Sequence, residues 1–176
     1  MATLIKIRQV VQDNWQLLES ATEGASAIPA EGDVIVPLAL WQCERAVLLA
    51  RKGRLGLRLD SGEGPEAIVE DLAHFEVIAI NFPKVTDGRG YSTARLLRDR
   101  YGYQGEIRAV GDVQRDQLLY LSRCGFDAFA LKERRDPQVA LAAFSEFSEA
   151  YQESVDRPLP LFRRRFENSP DGMERS

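Results

Sequence analysis

Apolar segments with the character of buried strands alternate along this chain with segments whose apolar residues fall at helical spacing. The segments that predict strands are 34–38, 55–60, 77–82, 106–110 and 126–131. The segments that predict helices are 41–51, 68–75, 92–101, 112–124 and 136–152. Repeated βα units require parallel pairing and right-handed crossovers. The pattern therefore predicts an α/β fold with about five parallel strands in an open three-layer sheet.

Polar residues inside three of these strands favour a second architecture. Arg58, Asn81 and Arg108 stand where a parallel sheet covered on both faces should be apolar. They could mark edge strands. They could instead line one polar face, as in a barrel or half-barrel that carries helices only on its outside. The barrel or half-barrel is the alternative prediction.

The sections before and after the repeated units differ from them in composition. Residues 4–8 and 15–18 alternate briefly, and the polar residues 12–14 between them predict a β-hairpin. The predicted organisation is an N-terminal hairpin and loop (1–30), an α/β domain (31–152) and a tail rich in Pro and Arg (153–176). The last ten residues of that tail are expected to be disordered.

Charge and composition exclude several functional classes. A net charge of −4 over 176 residues provides no global basic field for nucleic acid or an anionic membrane. No apolar run approaches the ~18–20 residues that span a bilayer, and the first residues lack the apolar core of a secretion signal. We therefore expect a cytoplasmic protein.

Metal and cofactor motifs are absent from the sequence. Cys43, Cys124 and His74 are the only cysteines and the only histidine, too few for an iron–sulfur cluster or a thiolate zinc site. The sequence predicts no metal and no recognisable cofactor. A Cys–His catalytic pair has no supporting motif, and Cys124, at a helix end before Gly125, is expected to pack rather than react.

A glycine-punctuated turn after the most apolar strand is the strongest candidate site. Gly88 and Gly90 permit positive φ and close backbone approach, and Ser92 or Thr93 can cap the following helix. The free N–H groups of a helix start attract anions. The candidate anion- or substrate-binding residues of this stretch are Asp87, Gly88, Arg89, Gly90, Ser92 and Arg95.

Neither phosphate-loop pattern fits that turn. A Walker A sequence needs Lys-Ser/Thr, and the dinucleotide fingerprint needs a third glycine. A nucleotide is therefore not predicted, whereas phosphate, sulfate or sulfite is a reasonable ligand. The alternative is that Asp87-Gly88 is an ordinary turn, Ser92 a plain cap and the arginines a solvated helix face.

Two further residues complete the candidate site. Asp112 stands at a strand-to-helix transition, where we expect it to cap the helix, and Arg115 follows within the first turn. Both belong to loops that should meet those of 87–95 at the carboxyl ends of the strands. An enzyme using Asp87 or Asp112 as acid or base, with Arg89 and Arg115 holding an anionic substrate, would require these groups to converge.

The tail offers a candidate partner-binding segment. Three consecutive arginines are flanked by apolar residues, and the segment could dock on a partner or pack back on its own domain. Its residues are Phe162, Arg163, Arg164 and Arg165.

Several of these segments together resemble a family of uncharacterised bacterial proteins encoded beside sulfite reductase and other assimilatory sulfate-reduction genes. The resemblance is carried by residues 87–92, 105–113, 115–117 and 123–129. It is dense from about 77 to 132 and looser over 30–166. Members are often labelled as oxidoreductases involved in sulfite reduction, without a demonstrated reaction, so no catalytic residue is transferred.

The resemblance implies a role in sulfite or sulfate assimilation. The leading hypothesis is an accessory protein that binds a small oxyanion or the sulfite reductase, because a redox enzyme needs a cofactor or dithiol for which the sequence shows no motif. The alternatives are a small α/β enzyme acting on an anionic metabolite, and a structural subunit whose polar strand face forms a homo-oligomer interface.

Overall fold

The computed structural model describes residues 3–18, 28–131 and 140–141. The strands are β1 (Thr3–Lys6), β2 (Gln9–Gln12), β3 (Gln16–Leu17), β4 (Val34–Pro37), β5 (Leu55–Leu59), β6 (Val77–Phe82), β7 (Glu106–Gly111) and β8 (Ala128–Phe129). The α-helices are α1 (Leu38–Ala50), α2 (Arg89–Asp99) and α3 (Leu118–Arg123), with 3₁₀ helices at Pro65–His74 and Arg115–Gln117.

The N-terminal hairpin is confirmed, but its predicted turn and second strand are wrong. β1 and β2 pair antiparallel around a turn at Ile7 and Arg8, both of which have positive φ. Trp15–Leu18 does not return along β1. It contributes β3, which pairs parallel with β4 at the opposite edge of the sheet.

The described strands form one sheet in the order β2-β1-β8-β7-β6-β5-β4-β3. From β3 to β8 the strands are parallel and neighbours in sequence are neighbours in space. The prediction of about five parallel strands is therefore wrong, because β3 extends the parallel run and the hairpin joins the same sheet through β1.

The short link between the two edge strands shows that the sheet is curled. Only residues 13–15, which we call the connector, separate β2 from β3. Seven strand spacings would place the edges of a flat sheet about 34 Å apart. The four Cα steps from Gln12 to Gln16 span at most about 14 Å. The eight strands therefore form a curled half-barrel.

The half-barrel alternative is confirmed, and the open three-layer sheet is wrong. A three-layer sheet needs a reversal of strand order, because right-handed crossovers in one direction place every helix on one face. Here the order of β3 to β8 never reverses. The inner face can therefore carry polar residues without burying them beneath a second helical layer.

The outer, helix-covered face holds the main core. Side chains alternate along each strand, so one register set points outward on all neighbouring strands. Buried outward residues include Ile5, Val36, Leu57, Leu59, Ile78, Ile80, Ile107, Ala109 and Phe129.

The inner face carries a smaller apolar cluster and a polar row. Ile35, Val77 and Ala79 pack there with Trp15 of the connector. Ala79 also belongs to a register row two residues beyond Val77, in which it is aligned with Arg58 and Arg108. The connector therefore fills the interior of the half-barrel as well as linking its edges.

The helices lie where the sequence pattern predicts them, but some begin or end at other residues and two segments are 3₁₀ rather than α-helical. The predicted 68–75 helix is a 3₁₀ helix beginning at Pro65, and the predicted 112–124 helix is Arg115–Gln117 followed by α3. Within the described chain, none of the helices has the length and apolar character to cross a membrane.

Part of the sequence-based prediction lies outside the described residues. This applies to the 136–152 helix except Ala140 and Leu141, which are helical, and to the whole 153–176 tail with Phe162 and Arg163–Arg165. Ala140 is buried in the main core.

Candidate functional site

The turn before α2 supplies its own anion. The Asp87 carboxylate accepts hydrogen bonds from Nε and Nη2 of Arg89 at 3.0 and 2.7 Å. It also accepts the backbone N–H of Arg89, the first residue of α2, at 3.2 Å. The Arg89 guanidinium beside it holds the pKa of Asp87 well below its usual range. Asp87 thus occupies a place that an external anion would take at this helix start.

The two glycines of this turn serve the fold rather than an anion cradle. Gly88 precedes α2 with φ −85°, and Gly90 is likewise not among the positive-φ glycines, so neither uses the left-handed conformation expected for them. A Cβ at Gly90 would lie 2.6 Å from the Phe82 ring. The close backbone approach therefore exists, but it seats α2 on β6.

The predicted hydroxyl cap is wrong. α2 begins at Arg89, which places Ser92 inside its first turn, and Thr93 Oγ1 donates to the Arg89 carbonyl oxygen at 3.3 Å. Arg95 pairs with Asp99 one turn later, with N–O distance 2.9 Å, on the exposed helix surface. These groups lie on α2 as expected but take part in local helix contacts.

Asp112 holds a neighbouring loop instead of capping a helix. Its carboxylate accepts the backbone N–H of Val85 at 3.3 Å, and its own N–H donates to the Phe82 carbonyl at 2.7 Å. The cap of the following 3₁₀ helix is Gln114, whose side chain and that of Gln117 form a reciprocal capping box. The predicted Asp112 cap is therefore wrong, because the 3₁₀ helix begins only at Arg115, after Gln114 in an extended conformation.

The enzyme hypothesis required Asp87, Arg89, Asp112 and Arg115 to converge on one concave pocket. A cavity of about 270 Å³ does exist, but none of the four lines it. It lies at the amino ends of the parallel strands, and we call it the amino-end cavity. Arg115 begins a 3₁₀ helix on the loop after β7. The described cavity therefore does not support the enzyme hypothesis.

The carboxyl end of the inner face has a different character. We call this region, with Arg58, Asp60, Ser61, Asn81 and Arg89, the mouth of the half-barrel. Asn81 donates to Asp60 at 2.8 Å, and Arg89 Nη2 donates to Ser61 Oγ at 3.0 Å. These contacts join the loops after β5 and β6. The mouth is the end at which α/β barrels place their sites.

Arg58 is the unusual residue of the mouth. Its side chain is only 17% exposed, and its Nε is buried without a hydrogen-bond partner among the described residues. Nη2 reaches the Asp60 carboxylate only at 3.5 Å. A buried donor without an acceptor costs about 1–3 kcal/mol. Arg58 is thus a cation with unused hydrogen-bonding capacity at the mouth.

The strand neighbours of Arg58 restrict the direction from which a ligand can reach it. In the register row, Pro37 and Ala79 flank Arg58 on β4 and β6. The space over Gly56, two positions earlier on the same strand and face, is filled, because a Cβ there would lie 2.9 Å from Ile35 Cγ1 and 3.2 Å from Val77 Cβ. A ligand would therefore approach the guanidinium from the carboxyl end of the strands, where the side chain of Asp60 is 47% exposed.

Arg58 was identifiable from sequence only as a charged residue in an apolar strand. That signal also marked Arg108, which is 3% exposed and pairs through Nε with Glu106 and through Nη1 with Asp13. The alternative in which this polar strand face forms a homo-oligomer interface stays a prediction.

The two cysteines lie in different surroundings. Both are free, Cys43 exposed on α1 and Cys124 buried after α3. Burial raises the pKa of the Cys124 thiol. Among the described residues, no three His, Cys, Asp or Glu side chains gather to hold a metal ion.

Comparison with protein families places the chain in a described family. The model of the family described as "Bacterial protein of unknown function (DUF934)" matches residues 56–162, more than half of the chain. The match begins at the second residue of β5 and includes β6 to β8 and every residue of the mouth. No curated protein matches the sequence.

Proposed function

The chain belongs to the bacterial protein family DUF934, and for this member we propose that it binds a small oxyanion at the mouth and assists assimilatory sulfite or sulfate reduction. The observation that carries the binding proposal is the buried Nε of Arg58 without an acceptor. A guanidinium presents parallel N–H groups that match two oxygens of an oxyanion.

The geometry of Arg58 supports a ligand of few atoms. Its Nε and Nη2 lie on one edge of the guanidinium, and the 3.5 Å contact with Asp60 leaves that edge weakly used. An incoming oxyanion would complete both hydrogen bonds. Asp60, whose side chain is 47% exposed, can turn toward solvent when the ligand binds.

Fixed charges around the mouth limit which anion can bind. Asp87 already neutralises Arg89, so Arg89 adds little net positive charge. Asp60 repels a second negative charge close to Arg58. Both features favour a small oxyanion over a nucleotide or a polyphosphate.

The sulfur chemistry rests on the resemblance described above. Sulfite and sulfate are small oxyanions that can accept two hydrogen bonds from one guanidinium edge, and the family resemblance links the chain to genes of sulfite reduction. We propose an accessory role, binding the anion or the reductase, with cytoplasmic location. The reduction itself would take place in a partner that carries the redox centres.

A genetic experiment tests the physiological role. A strain lacking this gene is grown with sulfate as the sole sulfur source and complemented with wild type, Arg58→Gln or Arg95→Gln. The proposal expects slow growth that wild type and Arg95→Gln restore and Arg58→Gln does not. Normal growth and unchanged sulfite reductase activity in the deletion strain would remove the sulfur role.

A co-purification experiment tests the partner. The tagged full-length protein is purified from cells grown on sulfate, and sulfite reductase is assayed in the eluate. Enrichment over an untagged control supports direct assistance. If sulfite reductase is not enriched while the purified protein still binds sulfite, the reductase is not the partner and the oxyanion-binding proposal is retained.

A further inference from the structure

The amino-end cavity lies at the opposite end of the inner face from the mouth. Glu106 is the first residue of β7 and Arg54 immediately precedes β5, which fixes the cavity at the amino ends of the strands. The connector forms its remaining wall. Its volume of about 270 Å³ corresponds to several water molecules at about 30 Å³ each.

One wall of the cavity is apolar and aromatic. Leu4 and Val11 face each other across the β1–β2 pair, and both line the cavity. Trp15 of the connector completes this wall, with the Arg54 guanidinium 5.0 Å from its ring centroid. An apolar body the size of a small ring or short chain fits such a surface.

The opposite wall is a chain of alternating charges. Lys6 pairs with Glu106 at 2.7 Å, Glu106 with Arg108 Nε at 2.7 Å, and Arg108 Nη1 with Asp13 at 2.8 Å. These pairs hold the charged wall in one geometry and join the connector to β7. With Arg54, the lining residues carry three positive charges and two negative ones.

Two of these cations keep donors that the network does not use. Arg108 employs Nε and Nη1, and its Nη2 donates to none of the described residues. Lys6 Nζ has three N–H donors and a single described ion pair, with its side chain 43% exposed. Both carboxylates already accept hydrogen bonds, so the unused capacity is for an acceptor rather than a donor.

We propose that the amino-end cavity binds a small organic anion. Its carboxylate or similar group meets Lys6 and Arg108, and its apolar body lies against Leu4, Val11 and Trp15. This site is distinct from the mouth: it needs an apolar body as well as a charge, and it does not involve Arg58.

The test uses benzoate as the probe, benzamide as its neutral isostere and inorganic sulfate as the anion without an apolar body. Each is titrated into the ¹⁵N-labelled full chain, and the indole N–H signal of Trp15 is followed. Trp41, whose indole N–H donates to Asp71 at 2.8 Å on the outer face, is the internal control. Benzoate should shift the Trp15 signal and leave the Trp41 signal unchanged. Its affinity should be at least about tenfold higher than that of benzamide.

Two variants test separately whether benzoate binding depends on the charged wall and on the free volume of the cavity. Lys6→Gln removes one exposed cation and should weaken benzoate at least about fivefold. Val11→Phe fills the cavity without changing charge and should abolish the Trp15 shift. Arg58→Met should leave benzoate binding unchanged. The proposal would be overturned if benzoate caused no Trp15 shift, or if benzamide bound as tightly as benzoate. It would also be overturned if both cavity variants bound benzoate like the wild type, or if Arg58→Met lost benzoate binding.

Discussion

Arg58 and Arg108 occupy the same register row on the inner face of the half-barrel, two strands apart, and they are held very differently. Arg108 donates to Glu106 and Asp13 at 2.7 and 2.8 Å, whereas Arg58 reaches Asp60 only at 3.5 Å. The Nε of Arg58 has no described acceptor. Arg108 therefore stabilises the fold through two short ion pairs, whereas the Nε of Arg58 is available for a ligand.

This difference predicts opposite effects on stability. Arg108→Met leaves Glu106 and Asp13 without their shared cation in a buried setting, and should lower the free energy of unfolding by about 3–5 kcal/mol. Arg58→Met, the matched control, removes an unsatisfied donor and should leave stability unchanged or raise it by about 1 kcal/mol. Urea unfolding followed by circular dichroism measures both. A larger loss in Arg58→Met than in Arg108→Met would contradict the assignment.

The ion pair before α2 predicts an unusually acidic carboxyl group. The folded pKa of Asp87 lies below its unfolded value of about 3.9, because Arg89 donates to it from side chain and backbone. Its contribution to stability is therefore present above the unfolded pKa and is lost as pH falls through the folded pKa. In an NMR titration of the side-chain carboxyl carbons, Arg89→Met should raise the Asp87 midpoint. No change at Asp87 would show that Arg89 does not cause the shift.

Gly90 and Gly88 form a matched pair for testing the role of the glycine turn. Gly90→Ala would place a methyl group against the Phe82 ring and should destabilise the protein by about 1–3 kcal/mol. Gly88→Ala meets nothing within 4 Å and has an allowed φ, so it should change stability by less than about 1 kcal/mol. Thermal unfolding of the two variants measures both changes in stability. Equal losses would mean that α2 does not depend on this close approach.

The sequence predicted the elements whose pattern is local and strong. β4 to β7 follow apolar runs, and Gly102 and Gly125 have the positive φ expected after helices. β3 has two residues, too short for any periodicity to show. The hairpin turn at Ile7 and Arg8 contains no glycine or asparagine, so the polar residues 12–14 were the stronger turn signal.

The candidate site was harder to predict for a different reason. A charged residue in an apolar strand marked both Arg58 and Arg108 equally. The partner that distinguishes them, Asp13, lies 95 residues from Arg108 in sequence. It reaches the inner face only because the sheet curls and the connector crosses it. No local pattern records that contact.

The central claim is that Arg58 at the mouth binds a small oxyanion, and calorimetric titration with sulfite and with sulfate tests it most directly. Wild type and Lys6→Gln should bind at least one of the two anions with the same affinity, because Lys6 belongs to the amino-end cavity. Arg58→Met should lose at least about tenfold in affinity, the equivalent of one charge-assisted hydrogen bond. Binding of both anions by Arg58→Met as tightly as by wild type, or no binding by wild type, would contradict the claim.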